Sequence, residues 1–144
     1  MAGVLGKMNY PAGADLLVVG APASFEAELA AAAGARLLRG AARAKVVAFA
    51  ILFVTRRDEV APAWRSIESK LADDAIVWFA YPKGTSKRLT SDLSRDAGWE
   101  PVRAAGWDTV RLVAIDADWS ALRFRRAALI GRRPGSGRGS RPAS

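Results

Sequence analysis

The sequence predicts an α/β three-layer sandwich with a mainly parallel, mixed sheet and a C-terminal antiparallel hairpin. Three observations carry this reading. Residues 46–54, VVAFAILFV, and 75–81, AIVWFAY, are apolar at consecutive positions and rich in β-branched and aromatic side chains, as strands buried on both faces are. Between them, Val60, Trp64, Ile67 and Leu71 recur at intervals of four, three and four, the stripe of an amphipathic helix. Strands alternating with such helices pack as a parallel sheet covered on both sides.

The elements follow in order. Residues 15–20, DLLVVG, form a short apolar run bounded by glycine and by Gly20-Ala21-Pro22, which reads as a buried strand. In SFEAELAAAAGA, Phe25, Leu29 and Ala32 share a helical face, and Gly34 supplies a stop. Residues 36–39 read as a second, short strand. The third strand is 46–54. The helix after it has Asp58 and Glu59 near its positive end and Pro62 in its first turn, where a missing N–H costs little. A strand over 75–81 ends at Pro82. Thr90 and Ser91 offer an N-cap for a short helix to Asp96. A second short helix covers 100–105, with Pro101 near its start and Gly106 at its end, flanked and pinned by Trp99 and Trp107. Residues 110–116 and 120–126 form the closing hairpin, which adds an antiparallel edge strand. Leu122 and Phe124 fall on one face of its last strand and Arg123 and Arg125 on the other, which reads as wet. Trp64 and Trp78 fit the core pattern.

Composition limits the chemistry. The 144 residues fit one domain, and half of them are apolar, enough for a core without staples. With no cysteine there are no disulfides, thiolate metal sites or cysteine nucleophiles. With no histidine there is no Ser-His-Asp triad and no imidazole ligand. Acid–base work is left to Asp, Glu, Lys, Tyr and the chain termini. The longest apolar run is about half the roughly 20 residues of a membrane helix. The N-terminus lacks a secretory h-region, so a cytoplasmic protein without membrane attachment is the expectation.

The net charge is +8, but residues 131–144, GRRPGSGRGSRPAS, hold four arginines and no acid, so the rest carries 18 basic against 14 acidic groups, +4. The division expected is one domain over 1–130 and a disordered Arg/Gly/Ser tail over 131–144. Arg132, Arg133, Arg138 and Arg141, with Lys87 and Arg88, are the candidates for weak phosphate contacts to nucleic acid. An unstructured end without a role is the simpler reading.

Ligands of open α/β sheets lie beyond the carboxyl ends of the parallel strands. Here those ends are Gly20-Ala21-Pro22, Thr55-Arg56-Arg57, Lys83-Gly84-Thr85-Ser86 and Asp116-Ala117-Asp118-Trp119. Gly20, Lys83, Ser86, Asp116, Asp118 and Trp119 are therefore the ligand-binding candidates, with no catalytic residue and no cofactor assignable. The first turn is GAPAS rather than GxGxxG, and Glu26 and Glu28 oppose an anion at the helix behind it. The Lys83 loop has no Walker spacing; it is either a looser anion contact or a polar turn after Pro82. Asp116 and Asp118 suit Mg²⁺ through water or, more simply, a hydrogen-bonded turn, and no metal site is assigned. Trp119 is either a stacking platform or a rim aromatic of the core.

The segments VVAFAILFVTRRDEVAPAWRSIESKLADDAIVWFAYPKGTSK and DTVRLVAIDADWSALRFR resemble a family of small bacterial proteins classed as a domain of unknown function. Its marks are a strand ending in Tyr/Trp-Pro-Lys, here Tyr81-Pro82-Lys83, and a late D-x-x-W-S-x-L-R, here Asp116 to Arg123. An L-G-A-P-x-x-F pattern is matched in part by Val19 to Phe25. The resemblance spans most of residues 4–126, leaves the tail outside, and implies no activity. The strand order is also similar to the later half of the methyltransferase-type Rossmann fold, without its glycine-rich turn. The expected function is a non-catalytic domain binding a small anionic ligand or a protein partner at the carboxyl rim. The alternatives are a reduced nucleotide- or S-adenosylmethionine-dependent transferase and a weak nucleic-acid binder.

Overall fold

The structure, a computed structural model, describes residues 3–32, 36–87 and 89–130. Six strands form one sheet: β1 (Leu16–Val19), β2 (Leu37–Leu38), β3 (Val47–Phe53), β4 (Leu71–Pro82), β5 (Trp107–Ala114) and β6 (Trp119–Arg126). Their order is β2-β1-β3-β4-β6-β5. The first four in that row are parallel, and β6 runs antiparallel to both of its neighbours.

Among the described residues four α-helices cover the sheet: α1 (Val4–Lys7), α2 (Glu26–Ala30), α3 (Val60–Ile67) and α4 (Glu100–Ala104). Alternation along each strand sends residues to two cores. One side joins Leu17, Leu52, Val77, Phe79, Leu122 and Phe124 to Val60, Trp64 and Ile67 of α3 and Val102 of α4. The other joins Leu16, Val18, Phe49, Ile51 and Trp78 to Leu5, Met8, Phe25 and Leu29 from α1, α2 and their flanks. This is the three-layer sandwich the sequence predicts. Among the described residues no helix is long and apolar enough to cross a membrane.

The hairpin differs from expectation in one respect. Its antiparallel strand is interior, and β5, parallel to β4, takes the edge. The reason is burial: β6 carries apolar groups on both faces, with Trp119 and Ala121 on one and Leu122 and Phe124 on the other. β5 has Val110 and Leu112 exposed, which an edge tolerates. The face of β6 read as wet is thus covered at its carboxyl-rim half, and Arg123 and Arg125 are half-buried.

Other boundaries shift for similar reasons. Leu71 ends the helical stripe in the sequence but opens β4, which pairs it with Val47 of β3. The helix expected from Thr90 and Ser91 to Asp96 is absent. Ser91 Oγ donates instead to Thr55 O at 2.6 Å and accepts from Leu93 N at 3.0 Å, and Asp92 Oδ1 accepts from Arg57 N at 2.8 Å. The polar groups that would cap a helix tie this loop across the end of β3. The stop expected at Gly34, the contacts expected of Arg88, and those of Arg132, Arg133, Arg138 and Arg141 in the tail lie outside the described residues.

Trp99 closes the α3–α4 side. It is fully buried, and its ring meets those of Phe79, Tyr81 and Phe124 at centroid separations of 5.4, 5.5 and 5.5 Å. Its Nε1 donates to Ser94 O at 2.7 Å. Trp99→Ala is therefore expected to cost about 3–5 kcal/mol. The measurement is a fall in denaturant midpoint; a loss below about 1 kcal/mol would show that the cluster does not hold this face together.

Candidate functional site

The strand registers place every sequence-selected rim residue at one end of the sheet. Val19 pairs with Leu52, Phe53 with Ala80, and Pro82 with Trp119, so Gly20, Thr55, Lys83 and the 116–119 turn follow one another along the same edge. Pro82 cannot donate to the ladder, and β4 ends there.

The Lys83 loop and the hairpin turn are joined. Lys83 N donates to Asp118 O at 2.8 Å, and Ser86 Oγ donates to Asp118 Oδ1 at 2.9 Å. Ser86 N turns back on Lys83 O at 3.0 Å, and Leu89 N donates to Ser86 Oγ at 3.1 Å. Asp116 Oδ1 accepts from the N–H groups of Asp118 and Trp119, at 2.8 and 2.9 Å, which is the hydrogen-bonded turn that Asp forms readily. Trp119 is buried and meets Phe53 edge-on at 5.2 Å. Its indole is a core aromatic beneath the rim. Lys87 is exposed.

Beside this junction lies an open cavity of about 340 Å³, lined by Tyr81, Lys83, Thr85, Ser94, Arg95 and Ser120 among others. It brings two cations and several hydroxyls together. Burial pushes the Tyr81 phenol above its ordinary value of 10.0, with Arg95 pulling against it and Asp96 reinforcing it. The phenol therefore stays protonated at neutral pH and can donate a hydrogen bond. Tyr81, Ser94, Arg95 and Ser120 are not among the site residues chosen from the sequence, although Tyr81 and Ser120 fall within the two quoted family marks. Tyr81 precedes Pro82-Lys83 but looks like a buried strand residue, and Arg95 sits in a loop taken for helix.

The other part of the rim is the switch point, where the chain leaves β1 for β2 on one side and β3 on the other. Gly20 has φ +76°, and a Cβ there would stand 3.1 Å from Phe53 O. A side chain is doubly disfavoured. Past β2, Arg39 makes a two-pronged pair with Glu26 at the start of α2, both contacts at 2.9 Å. At the end of β3, Glu59 Oε1 accepts from Thr55 N at 2.7 Å.

No protein-family model matches the chain and no curated protein does, so the resemblance to the small bacterial family rests on the quoted stretches alone. Solved structures do match in fold. A SAM-dependent methyltransferase from Aquifex aeolicus superposes with a TM-score of 0.61 at 13% identity, over 85% of this chain and 87% of that one. The DhpI–SAH complex superposes with a TM-score of 0.53 at 12% identity, over 85% and 81%. The class defined is the Rossmann-like α/β fold that such methyltransferases share, and at these identities the likeness concerns the fold.

The Arg39 hydrogen bonds hold the Glu26 carboxyl below its ordinary value of 4.5. A lowered folded-state value means that the pair's stabilisation is complete above the ordinary value and is lost as pH falls through the lowered one. Melting temperatures of the parent and of Arg39→Gln should accordingly differ near neutrality and converge in acid. A gap that persists in acid would assign Arg39 a packing role instead.

Proposed function

We propose that the chain is a reduced, transferase-like relative of S-adenosylmethionine- or nucleotide-dependent enzymes that holds an adenosyl-type ligand across the carboxyl rim. The observation that supports it most is the coincidence of two features on one edge. The switch point, where folds of this class hold their ligands, has an exposed turn at Gly20. Two strands away, Lys83 and Arg95 line a cavity with the Tyr81 phenol. Neighbouring strands stand about 4.8 Å apart, so these features lie roughly 10 Å from each other, within the span of a nucleoside and its substituent.

In this reading each group has a defined task. Gly20 lets the ligand meet backbone. Lys83 and Arg95 neutralise a carboxylate or phosphate, and Tyr81 donates a hydrogen bond. Asp118 and Ser86 hold the lysine loop against the hairpin. Asp116 shapes the turn. Positioning is the main contribution such a rim makes to group transfer, since aligned reactants need little further assistance.

A second reading keeps the rim as a non-catalytic site for a small anion or a protein partner. It is favoured by the GAPAS turn and by the Arg39–Glu26 pair, which stands where dinucleotide folds place a free acid for the ribose.

Calorimetry and amide NMR with S-adenosylmethionine, S-adenosylhomocysteine and ATP separate the two. The expected outcome is saturable binding of at least one of them, with shifts centred on Gly20, Tyr81 and Lys83. Lys83→Ala should weaken it roughly tenfold, as removal of a charged hydrogen bond does. Absence of any adenosyl response overturns the transferase-like reading. A rim response to inorganic phosphate alone supports the second one.

A further inference from the structure

Away from the rim, on the α1 side of the sheet, three arginines form a row across β5 and β6. Arg111 of β5 is the cross-strand partner of Arg123, and Arg125 lies two residues further along β6 on the same face. The outer two are held in place. Arg111 Nη1 donates to Asn9 Oδ1 at 2.8 Å, and Asn9 adopts φ +63°, a conformation that asparagine tolerates better than most residues. Arg125 makes a two-pronged contact with Asp74, both distances 2.9 Å.

The central arginine is different. Arg123 is half-buried beside the fully buried Trp78, and its Nε is shielded from solvent with no hydrogen-bond partner among the described residues. All fourteen acidic side chains belong to described residues, and none pairs with it. Burial and the charges of Arg125 and Arg111 both work against its protonated form, with Asp74 opposing them in part. A methionine would cover Trp78 without either penalty. A guanidinium fork presents N–H donors in the arrangement that phosphate oxygens accept, and Arg123 has one such donor unused, with Arg111 as its cross-strand partner and Arg125 next on the same face.

We propose that Arg123, with Arg111 and Arg125, forms an oxyanion site on this sheet face that takes a phosphate group, free or within a nucleic-acid backbone. The site is separate from the carboxyl rim and does not depend on the function assigned there. Asp74 orients Arg125 and sets a limit on affinity, because its carboxylate repels the same anion.

The test uses the full chain, isotopically labelled, with arginine Nε–H resonances followed during titration with inorganic pyrophosphate and, separately, a short RNA at low and moderate salt. The expected result is a saturable shift of the Arg123 Nε–H signal, and a melting temperature raised by the anion in the parent but not in Arg123→Met. A response to pyrophosphate identifies a free phosphate compound as the ligand class; a response to RNA alone identifies a phosphodiester. Equal, unsaturable shifts of all arginine signals overturn the proposal. So does an Arg123→Met chain that answers pyrophosphate as the parent does. If that variant fails to fold, Arg123→Lys keeps the charge and loses the fork. It should bind roughly tenfold more weakly, and unchanged binding overturns the site.

Discussion

Burial of β4 on both faces is the constraint from which the rest of the structure follows. From Val77 to Pro82 every residue is buried. Trp78 turns to the α1–α2 side, where its Nε1 donates to Met8 O at 2.9 Å, and Phe79 turns to the α3–α4 side under Trp99. A strand of this kind requires a layer above and below and a paired strand on each edge. β3 supplies one edge and β6 the other. The insertion of β6 between β4 and β5 is a consequence: only a strand apolar on both faces can flank β4, and β5 is not one.

The same constraint builds the rim. Because β4 is paired to its last residue, Pro82 opposite Trp119, the chain leaves the sheet at a defined height, and Lys83 meets the backbone of Asp118. Trp99 packs against Tyr81, which lines the cavity beside Lys83, on the α3–α4 side, and Trp119 packs against Phe53 on the other. The loop over it is held by Ser91 and Asp92, which bond to Thr55 and Arg57 at the end of β3. Rigid support of this kind is what a binding site needs to keep its groups in place before a ligand arrives. At the switch point Gly20 turns the chain close against Phe53 of β3, and Arg39 after β2 is held by Glu26 of α2. The fold is therefore like that of the methyltransferases, and its first turn is its own.

Arg123 shows how the sheet's alternation serves two ends. Along β6 the residues on one face run Trp119, Ala121, Arg123 and Arg125, from the covered rim to the half-buried arginines. The first two complete the core. The latter two are half-buried, and cross-strand pairing sets Arg111 opposite Arg123. Three like charges collected on one face carry an electrostatic cost that only Asp74 and Asn9 offset within the described residues.

The sandwich, the paired burial of β3 and β4, and the carboxyl ends at which Gly20, Lys83 and Asp118 stand were all legible in the chain. These are local properties: apolar runs, the stripe at Val60, Trp64 and Ile67, and Gly or Pro at strand ends report on the few residues around them. The Asp116 turn was legible as well, because its hydrogen bonds reach only two and three residues along the chain. Tertiary structure alone decided the position of β6, the unwinding of the loop at Thr90 and Ser91, the meeting of Arg95 with Lys83, and the row of Arg111, Arg123 and Arg125. Each of these depends on groups distant in the chain. Which of two distant partners a hydroxyl or a strand edge prefers is settled by the packing of the whole sheet, and no spacing in the sequence records it.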